Sequence, residues 1–254
     1  MRYVILDIEF NGRKFASDLP MEVIEIGAVR LDDGLRQTDT FTALVRPIYF
    51  SKLNKFIREK TGITQEEIDR AGRFPAVIDR FIRWLGPPES FLLVTWGGED
   101  LKRIVLDTRM HRLDDSYWLS VRYYDLLKGF LRLHDLKNDV SVERALEMLG
   151  IEADGTAHRA LGDAVMTAGI FRTLHDRLDL DQVRQFRDTY SNAKERRMVK
   201  SAIRTMRLRG SAPDWDTIAG HFLKNKVDLT NEKKRDELRA FFEEEMRKER
   251  QSEP

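Results

Sequence analysis

Residues 3–10 of the chain read YVILDIEF, an apolar run that only two acidic residues interrupt. Side chains alternate between the two faces of a strand, so Asp7 and Glu9 are expected to point to the same face. Their apolar neighbours predict a buried central strand, where carboxylates lose hydration and adjacent ones repel each other. A divalent cation would relieve both problems. An edge strand with two solvated acids is the alternative that this stretch alone leaves open.

Two further apolar or alternating stretches predict strands over 23–31 and 41–45. The residues between them, Asp32-Asp33-Gly34, are typical of a tight turn, so the first three strands are expected to form an antiparallel meander. Residues 91–95 predict a short buried strand, and residues 117–119 predict one last strand. A sheet of five strands is therefore expected.

Helical periodicity dominates the segments between and after these strands. Thr64, with Glu67 three residues later, is a capping-box pattern at a helix start. Gly86 and the two prolines after it are expected to end the following helix. The predicted helices cover residues 64–71, 75–85, 100–110, 121–133, 142–149 and 160–178.

The composition changes near residue 180, where strand signals stop and charge density rises. Residues 190–254 hold 16 Lys and Arg against 12 Asp and Glu. We therefore predict a domain over 1–180 and a charged helical extension over 181–254. The whole chain has 44 basic and 43 acidic residues, so any attraction to phosphate has to be local or come from bound metal ions.

The chain of 254 residues contains no cysteine, which excludes disulfides, zinc–thiolate sites and thiol catalysis. It has no signal-peptide pattern and no run of about 18 apolar residues that would predict a membrane span. A cytoplasmic protein without a membrane partner is expected.

A third acid, Asp100, ends the stretch FLLVTWGGED, in which a predicted strand runs into two glycines and the start of a helix. Glycines let a chain turn tightly beside a ligand. An ordinary acid in the first turn of a helix is the alternative explanation.

His158 and Asp163 stand five residues apart in AHRALGDAV. On a regular helix this spacing separates two side chains by roughly 140°, so they would not share a face. They can converge if His158 lies in the loop before the helix and Asp163 in its first turns. The loop-like sequence Asp154-Gly155-Thr156 allows this. A lone histidine is more often a surface or core residue, so the interpretation depends on the other acids.

Taken together, these residues resemble the DEDDh exonucleases, the DnaQ-like branch of the ribonuclease H-like fold. The resemblance covers about Tyr3 to Arg177 and includes the segments VIEIGA at 23–28 and TGIT at 61–64. Trp96-Gly97 and Arg46-Pro47 are most similar to the branch of KapD-type and RNA-trimming exonucleases. Two departures from the family pattern lie where substrate contacts are expected, and neither removes a metal ligand. Phe10 stands where many members have threonine, and Gly98-Glu99 where the branch often has aspartate and an aromatic residue.

The resemblance implies an α/β fold, in which helices flank a ribonuclease H-like mixed five-stranded sheet. It also implies a metal-dependent 3′–5′ exonuclease acting on single-stranded RNA or DNA. Asp7, Glu9, Asp100 and Asp163 would hold two divalent ions, Mg²⁺ or Mn²⁺, which prefer hard oxygen ligands. His158 would be the general base that takes a proton from the attacking water.

Substrate contacts are a separate expectation. Phe10 and Trp96 are candidates for stacking on bases, although a core position is the favoured alternative for Trp96. Basic residues, among them Arg204, Arg207 and Arg209, form one face of a predicted helix over 194–209. This face either follows a phosphate backbone or is simply solvated.

The last predicted helix, over 231–251, carries an apolar stripe of Leu238, Phe241, Phe242 and Met246. The stripe either packs internally or forms a homodimer contact.

Two functions other than a 3′–5′ exonuclease stay open: a non-catalytic nucleic-acid-binding or regulatory protein on the same fold, and an oligoribonucleotide hydrolase. The choice between RNA and DNA depends on contacts to the 2′-hydroxyl, which the sequence does not locate.

Overall fold

A computed structural model describes residues 2–11, 21–152 and 158–251 of the chain. The segment Asp154-Gly155-Thr156, which the sequence predicts as a loop, lies outside these residues. The chain divides into two compact units, Met1–Phe186 and Arg187–Pro254. The division follows residues 184–185 because these still pair with the sheet of the first unit.

The first unit is built on a mixed seven-stranded sheet. Its strands are β1 (Arg2–Asn11), β2 (Glu22–Leu31), β3 (Gln37–Arg46), β4 (Gly72–Arg73), β5 (Phe91–Thr95), β6 (Arg122–Asp125) and β7 (Arg184–Gln185). They lie in the order β4-β3-β2-β1-β5-β6-β7. β1 is antiparallel to β2 and parallel to β5, so the acids of β1 lie on a central strand, as the apolar run predicted.

The expected meander of three antiparallel strands is present, but the prediction of five strands was wrong by two. The additional strands, β4 and β7, are two residues long, which is too short to produce a periodic signal. The predicted strand at 117–119 is instead a helical turn, Ser116–Ser120, and β6 follows it. The helix predicted over 121–133 therefore begins only at Leu126, because Tyr123 and Tyr124 pair with β5. Aromatic residues favour strands, but here Trp118 is fully buried and stacks near Phe81.

Helices cover both faces of the sheet. They are α1 (Lys55–Thr61), α2 (Gln65–Arg70), α3 (Phe74–Leu85), α4 (Glu99–Met110), α5 (Ser116–Ser120), α6 (Leu126–Leu133), α7 (Val142–Leu149) and α8 (Ala160–Leu174). The sequence analysis missed α1, which has too few apolar positions for a clear stripe. Its ends are nonetheless well defined, because the Asn54 side chain accepts from Phe56 N and Gly62 has a left-handed backbone.

The two faces of the sheet bury separate apolar clusters, and β1 contributes to both. Leu6 and Ile8 pack on the face that α3 and α4 cover, whereas Tyr3 and Ile5 pack on the face that α8 covers. Asp7 follows Tyr3 and Ile5 by alternation, so its carboxylate lies on the α8 face. The alternation of β1 thus directs its two acids towards a single helix.

The second unit has its own apolar core. It contains α9 (Ala193–Leu208), α10 (Trp215–Thr217), a π-helical turn (Ile218–Leu223) and α11 (Glu232–Gln251). Leu238 and Phe242 of the predicted stripe are buried against residues of α9, including Val199 and Ile203. The stripe therefore packs internally. None of the helices in the described part of the chain combines the length and the apolar character needed to cross a bilayer.

Candidate active site

Three carboxylates meet above the middle of the sheet. Asp7 and Glu9 extend from β1, and Asp163 extends from the first turn of α8. One oxygen from each of the three lies within 4.8 Å of the others. Residues separated by more than 150 positions thus form a group with the spacing of a metal site.

Asp163 reaches this group because α8 begins very close to the sheet. Gly27 of β2 is the cross-strand partner of Asp7. A side-chain carbon at Gly27 would overlap the backbone of Ala160 and Leu161, so only glycine admits the start of α8 at this position. Gly27 belongs to the VIEIGA segment, and the contact gives a physical reason for the glycine in it.

Glu25, two residues earlier on β2, fixes the same helix start by hydrogen bonds. Its carboxylate is almost fully buried and accepts from Arg159 Nε at 3.1 Å and Arg159 Nη2 at 2.8 Å. It also accepts from the backbone N–H of Ala160, which has no partner within the helix. The pair therefore attaches the segment between His158 and α8 to β2.

His158 lies immediately before Arg159, the N-cap residue of α8, as the spacing argument required. Its backbone is left-handed, with φ at 66°, and its N–H donates to Asp163 Oδ1 at 3.2 Å. A non-glycine residue in this conformation needs support from its surroundings. Here the bond to Asp163 and the neighbouring Glu25–Arg159 pair provide it.

Asp100 lies in the first turn of α4, just after β5, and belongs to the same acidic region without being part of the three-residue group. Its charge is one of the causes that raise the pKa of Asp7, after burial of Asp7 itself. Burial also raises the pKa of Asp100 to about 7, while hydrogen bonds from the Asp100 and Ile8 backbone oppose the shift.

The electrostatics of the group favour a bound cation. Burial raises the pKa of Asp7 well above its usual range, and Asp100, Asp163 and Glu9 raise it further. Burial also raises the pKa of Glu9 to about 7. Burial raises the pKa of Asp163, with the His158 backbone N–H acting against it. A hard divalent ion would restore the ionised form of all these carboxylates, so the donor set fits Mg²⁺ or Mn²⁺.

A cleft of about 370 Å³ opens over the carboxylates. Its described lining residues are Asp7, Ile8, Glu9, Phe10, Asn54, Phe56, Ile57, Lys60 and Asp163. Phe56 is 66% exposed and lines the cleft. The sequence analysis missed Phe56 and Lys60, since the only signal was their position just before the TGIT segment.

Two buried polar residues hold the segment that leads into α1. Asn11 Nδ2 donates to the carbonyls of Phe50 and Lys52, and Asn11 Oδ1 accepts from Asn54 N. The carboxylate of Glu22 accepts from three consecutive backbone N–H groups, those of Ile48, Tyr49 and Phe50. Asn11 follows Glu9 by two residues on β1, so one strand both carries the acids and positions α1 beside them.

The other predicted substrate residues differ in position. Phe10 lines the cleft, with the Arg103 guanidinium 5.5 Å from its ring centre. Trp96 is not among the described lining residues; its ring packs near Phe130 and its indole N–H donates to Val140 O. Arg204, Arg207 and Arg209 lie in the second unit and are exposed.

Comparison of the chain with known proteins identifies one family. Residues 4–171 match the RNase_T family model, described as Exonuclease. The chain is 29% identical over 173 residues to the probable 3′-5′ exonuclease KapD of Bacillus subtilis, which covers 66% of this chain and 82% of KapD. It is 31% identical over 172 residues to 3′-5′ exoribonuclease 1 of Homo sapiens, covering 63% of this chain and 48% of that protein. The chain therefore spans about half the length of the exoribonuclease.

Among solved structures, the nuclease domain of 3′hExo, a DEDDh family member bound to rAMP, superposes with a TM-score of 0.65 at 26% identity. The match covers 74% of this chain and 97% of that domain. The expected resemblance to the KapD and RNA-trimming branch is confirmed. This chain therefore belongs to the RNase_T exonuclease family and is a 3′–5′ exonuclease of the DEDDh type.

Proposed function

We propose that this enzyme removes nucleotides from the 3′ end of single-stranded RNA or DNA by metal-dependent hydrolysis. Asp7, Glu9, Asp100 and Asp163 hold two divalent ions, Mg²⁺ or Mn²⁺, and His158 is the general base. The observation that carries the proposal is the group of three carboxylates within 4.8 Å, on a central strand and a helix start. RNA is the first substrate to test, since the relatives include proteins named exoribonucleases.

The ions would supply charge stabilisation to the attacking and leaving oxygens of the phosphodiester. The protein's own contribution is to hold the four carboxylates in place without metal, against their mutual repulsion. Glu25 and Gly27 do so for Asp163, because they fix the start of α8 on β2. Asp100 is held separately, by the turn that follows β5.

His158 accepts the proton of the attacking water through its imidazole, since histidine is the side chain best suited to exchange protons near neutral pH. Its backbone N–H is bonded to Asp163, so the base and a proposed metal ligand are held together. The left-handed backbone of His158 directs the side chain differently from a helical residue, which allows a separation of five residues to serve one site.

The cleft suits an unpaired 3′ end. Phe10 and the exposed Phe56 line it next to the acids, and aromatic rings stack on any base. Trp96 is less suited to stack on a base, because its ring packs near Phe130 and its indole N–H is bonded to Val140 O.

The basic face of α9 binds the phosphate backbone of a polymeric substrate. Not every basic residue of the helix is available for this, because Arg196 pairs with Glu237 and Lys200 with Glu245 on α11. Arg204, Arg207 and Arg209 are exposed towards the end of the helix. Their charge attracts nucleic acid without reading its sequence.

Digestion of matched, 5′-end-labelled single-stranded RNA and DNA tests the proposal. With Mg²⁺ or Mn²⁺ we expect a ladder that shortens from the 3′ end, and no products in EDTA. The ratio of the two rates gives the sugar preference. An intact substrate in the presence of both metals, or products in EDTA, would show that the proposed mechanism is wrong.

A further inference from the structure

Lys60 brings a positive charge to the mouth of the acidic cleft. It is the only basic residue among the described residues that line this cleft, and it shares the lining with Asp7, Glu9 and Asp163. Its side chain is exposed, and it forms no ion pair with any other residue in the described part of the chain. A lysine that faces acids without contacting them keeps its ammonium group available for a ligand.

The helix that carries Lys60 also carries Phe56, four residues earlier. Residues at this spacing lie on the same face of a helix, and both side chains line the cleft. The helix is held from β1 through Asn11, which bonds to Asn54 at its N-cap. The ammonium group and the exposed ring are therefore presented to the site together.

The substrate brings negative charge into the site that the proposed metal ions do not neutralise. Four carboxylates and two divalent ions cancel formally, whereas the scissile phosphodiester adds a negative charge and the released nucleotide carries a phosphate with still more. Lys60 is the cleft cation that can meet this excess. Its positive charge acts to lower the pKa of three of these carboxylates, those of Asp7, Glu9 and Asp163.

We propose that Lys60 binds the phosphate of the 3′-terminal nucleotide and holds it beside the carboxylates of Asp7, Glu9 and Asp163 during hydrolysis. This inference rests on the proposed function, since it assigns a substrate contact to the same site. A lysine binds phosphate as a point charge on a flexible stem, without the fixed geometry of arginine. This flexibility suits a phosphate that changes from a diester to a monoester during hydrolysis.

The competing explanation is that Lys60 only offsets the negative charge of the acids when metal is absent. The two explanations differ in which ligand is affected. A phosphate-binding lysine contributes to the affinity for a nucleotide but not for a nucleoside. A counter-charge influences the affinity for metal and leaves both organic ligands unchanged.

The test is calorimetric titration of adenosine 5′-monophosphate and of adenosine into the full chain in saturating Mn²⁺. The variants are Lys60→Gln and Lys60→Arg, with Lys55→Gln as the control. Lys55 lies on the same helix and loses the same charge, but it pairs with Glu59 and is not among the cleft-lining residues. Mn²⁺ affinity is measured first for each protein, so that an intact metal site shows that the variant is folded.

We expect Lys60→Gln to weaken binding of the monophosphate about tenfold and to leave adenosine binding unchanged. Lys60→Arg should keep most of the affinity, Lys55→Gln should match wild type, and Mn²⁺ should bind Lys60→Gln at least as tightly as wild type. Unchanged monophosphate affinity in Lys60→Gln, an equal loss for both ligands, or a lost metal site would each overturn the inference. If the wild-type chain bound neither ligand and degraded no nucleic acid, the proposed function would fail as well.

Discussion

The carboxylate of Glu25 accepts hydrogen bonds from two nitrogens of the Arg159 guanidinium, with Nε 3.1 Å from both oxygens and Nη2 2.8 Å from Oε1. Glu25 is the cross-strand partner of Glu9, and Arg159 follows His158 directly. One ion pair therefore joins the strand beside the acids to the segment that carries the proposed base. The buried Glu25 carboxylate also accepts from Ala160 N, so a side-chain and a backbone donor of the same segment hold it in place.

Breaking this pair from one side should destabilise the protein. Arg159→Met leaves the Glu25 carboxylate buried without its partner, and we expect a loss of about 3 kcal/mol in the free energy of unfolding. The double variant Glu25→Gln/Arg159→Met should lose less, because the glutamine oxygen still accepts from Ala160 N. Urea denaturation of both variants measures this. Equal losses would indicate that the buried charge is not the cause.

Gly27→Ala should separate the start of α8 from the sheet. The added methyl group would overlap backbone atoms of Ala160 and Leu161, so we expect a loss of about 1–3 kcal/mol and weaker Mn²⁺ binding. Gly169→Ala is the matched control within α8, since nothing lies within 4 Å of its added carbon. The control should be neutral or stabilising by up to about 1 kcal/mol. Normal metal affinity in Gly27→Ala would contradict the proposed positioning of Asp163.

His158→Ala should reduce the rate of hydrolysis about 10²- to 10⁴-fold, which is the range for removal of a general base or acid. Binding of Mn²⁺ should change little, because the proposed metal ligands are carboxylates and the backbone N–H that donates to Asp163 Oδ1 remains. Single-turnover hydrolysis and metal titration separate the two effects. Wild-type turnover in this variant would exclude His158 as the base.

Asp107 of α4 should make stability depend on pH. It is buried, accepts from Val23 N at 2.7 Å, and has its pKa raised to about 7 by burial. The folded state therefore holds this proton between about pH 4 and 7 while the unfolded state releases it, so the free energy of unfolding falls as pH rises through that interval.

Asp107→Asn removes this titration. Relative to wild type, the variant should gain about 2–4 kcal/mol at pH 8 and almost nothing at pH 4, since each pKa unit corresponds to 1.36 kcal/mol. Urea denaturation at the two pH values gives the difference. Asp79→Asn is a control on an exposed ion pair with Arg83, and its effect should be small at both. A gain for Asp107→Asn that is independent of pH would contradict the assignment.

Replacing Arg204 and Arg209 with Gln should reduce the salt dependence of binding to single-stranded nucleic acid. Each lost phosphate contact lowers the slope of log K against log salt by about 0.7, so the double variant should lose about 1.4. Lys224→Gln/Lys226→Gln removes the same charge elsewhere in the second unit and should leave the slope unchanged. Equal slopes in both double variants would rule out the α9 face as the binding surface.

Much of the fold follows from local patterns. The meander, the strand at 91–95 and most helices were predicted, because alternation and helical stripes repeat over enough residues to be recognised. The errors fall where an element is short or where packing overrides propensity. β4 and β7 have two residues each, and a helical turn at Tyr117-Trp118, in which Trp118 is buried, replaces an expected strand.

The sequence by itself determined that Asp7 and Glu9 share one face of a strand, because alternation is a property of the backbone. It also placed His158 before a helix and Asp163 within it. Only the tertiary structure decided that these residues meet, since Gly27 and Glu25 act across more than a hundred positions. The same holds for Phe56 and Lys60, whose place in the cleft depends on hydrogen bonds between Asn11 and a distant loop. Contacts of this range have no local period, so they emerge only when the chain is folded.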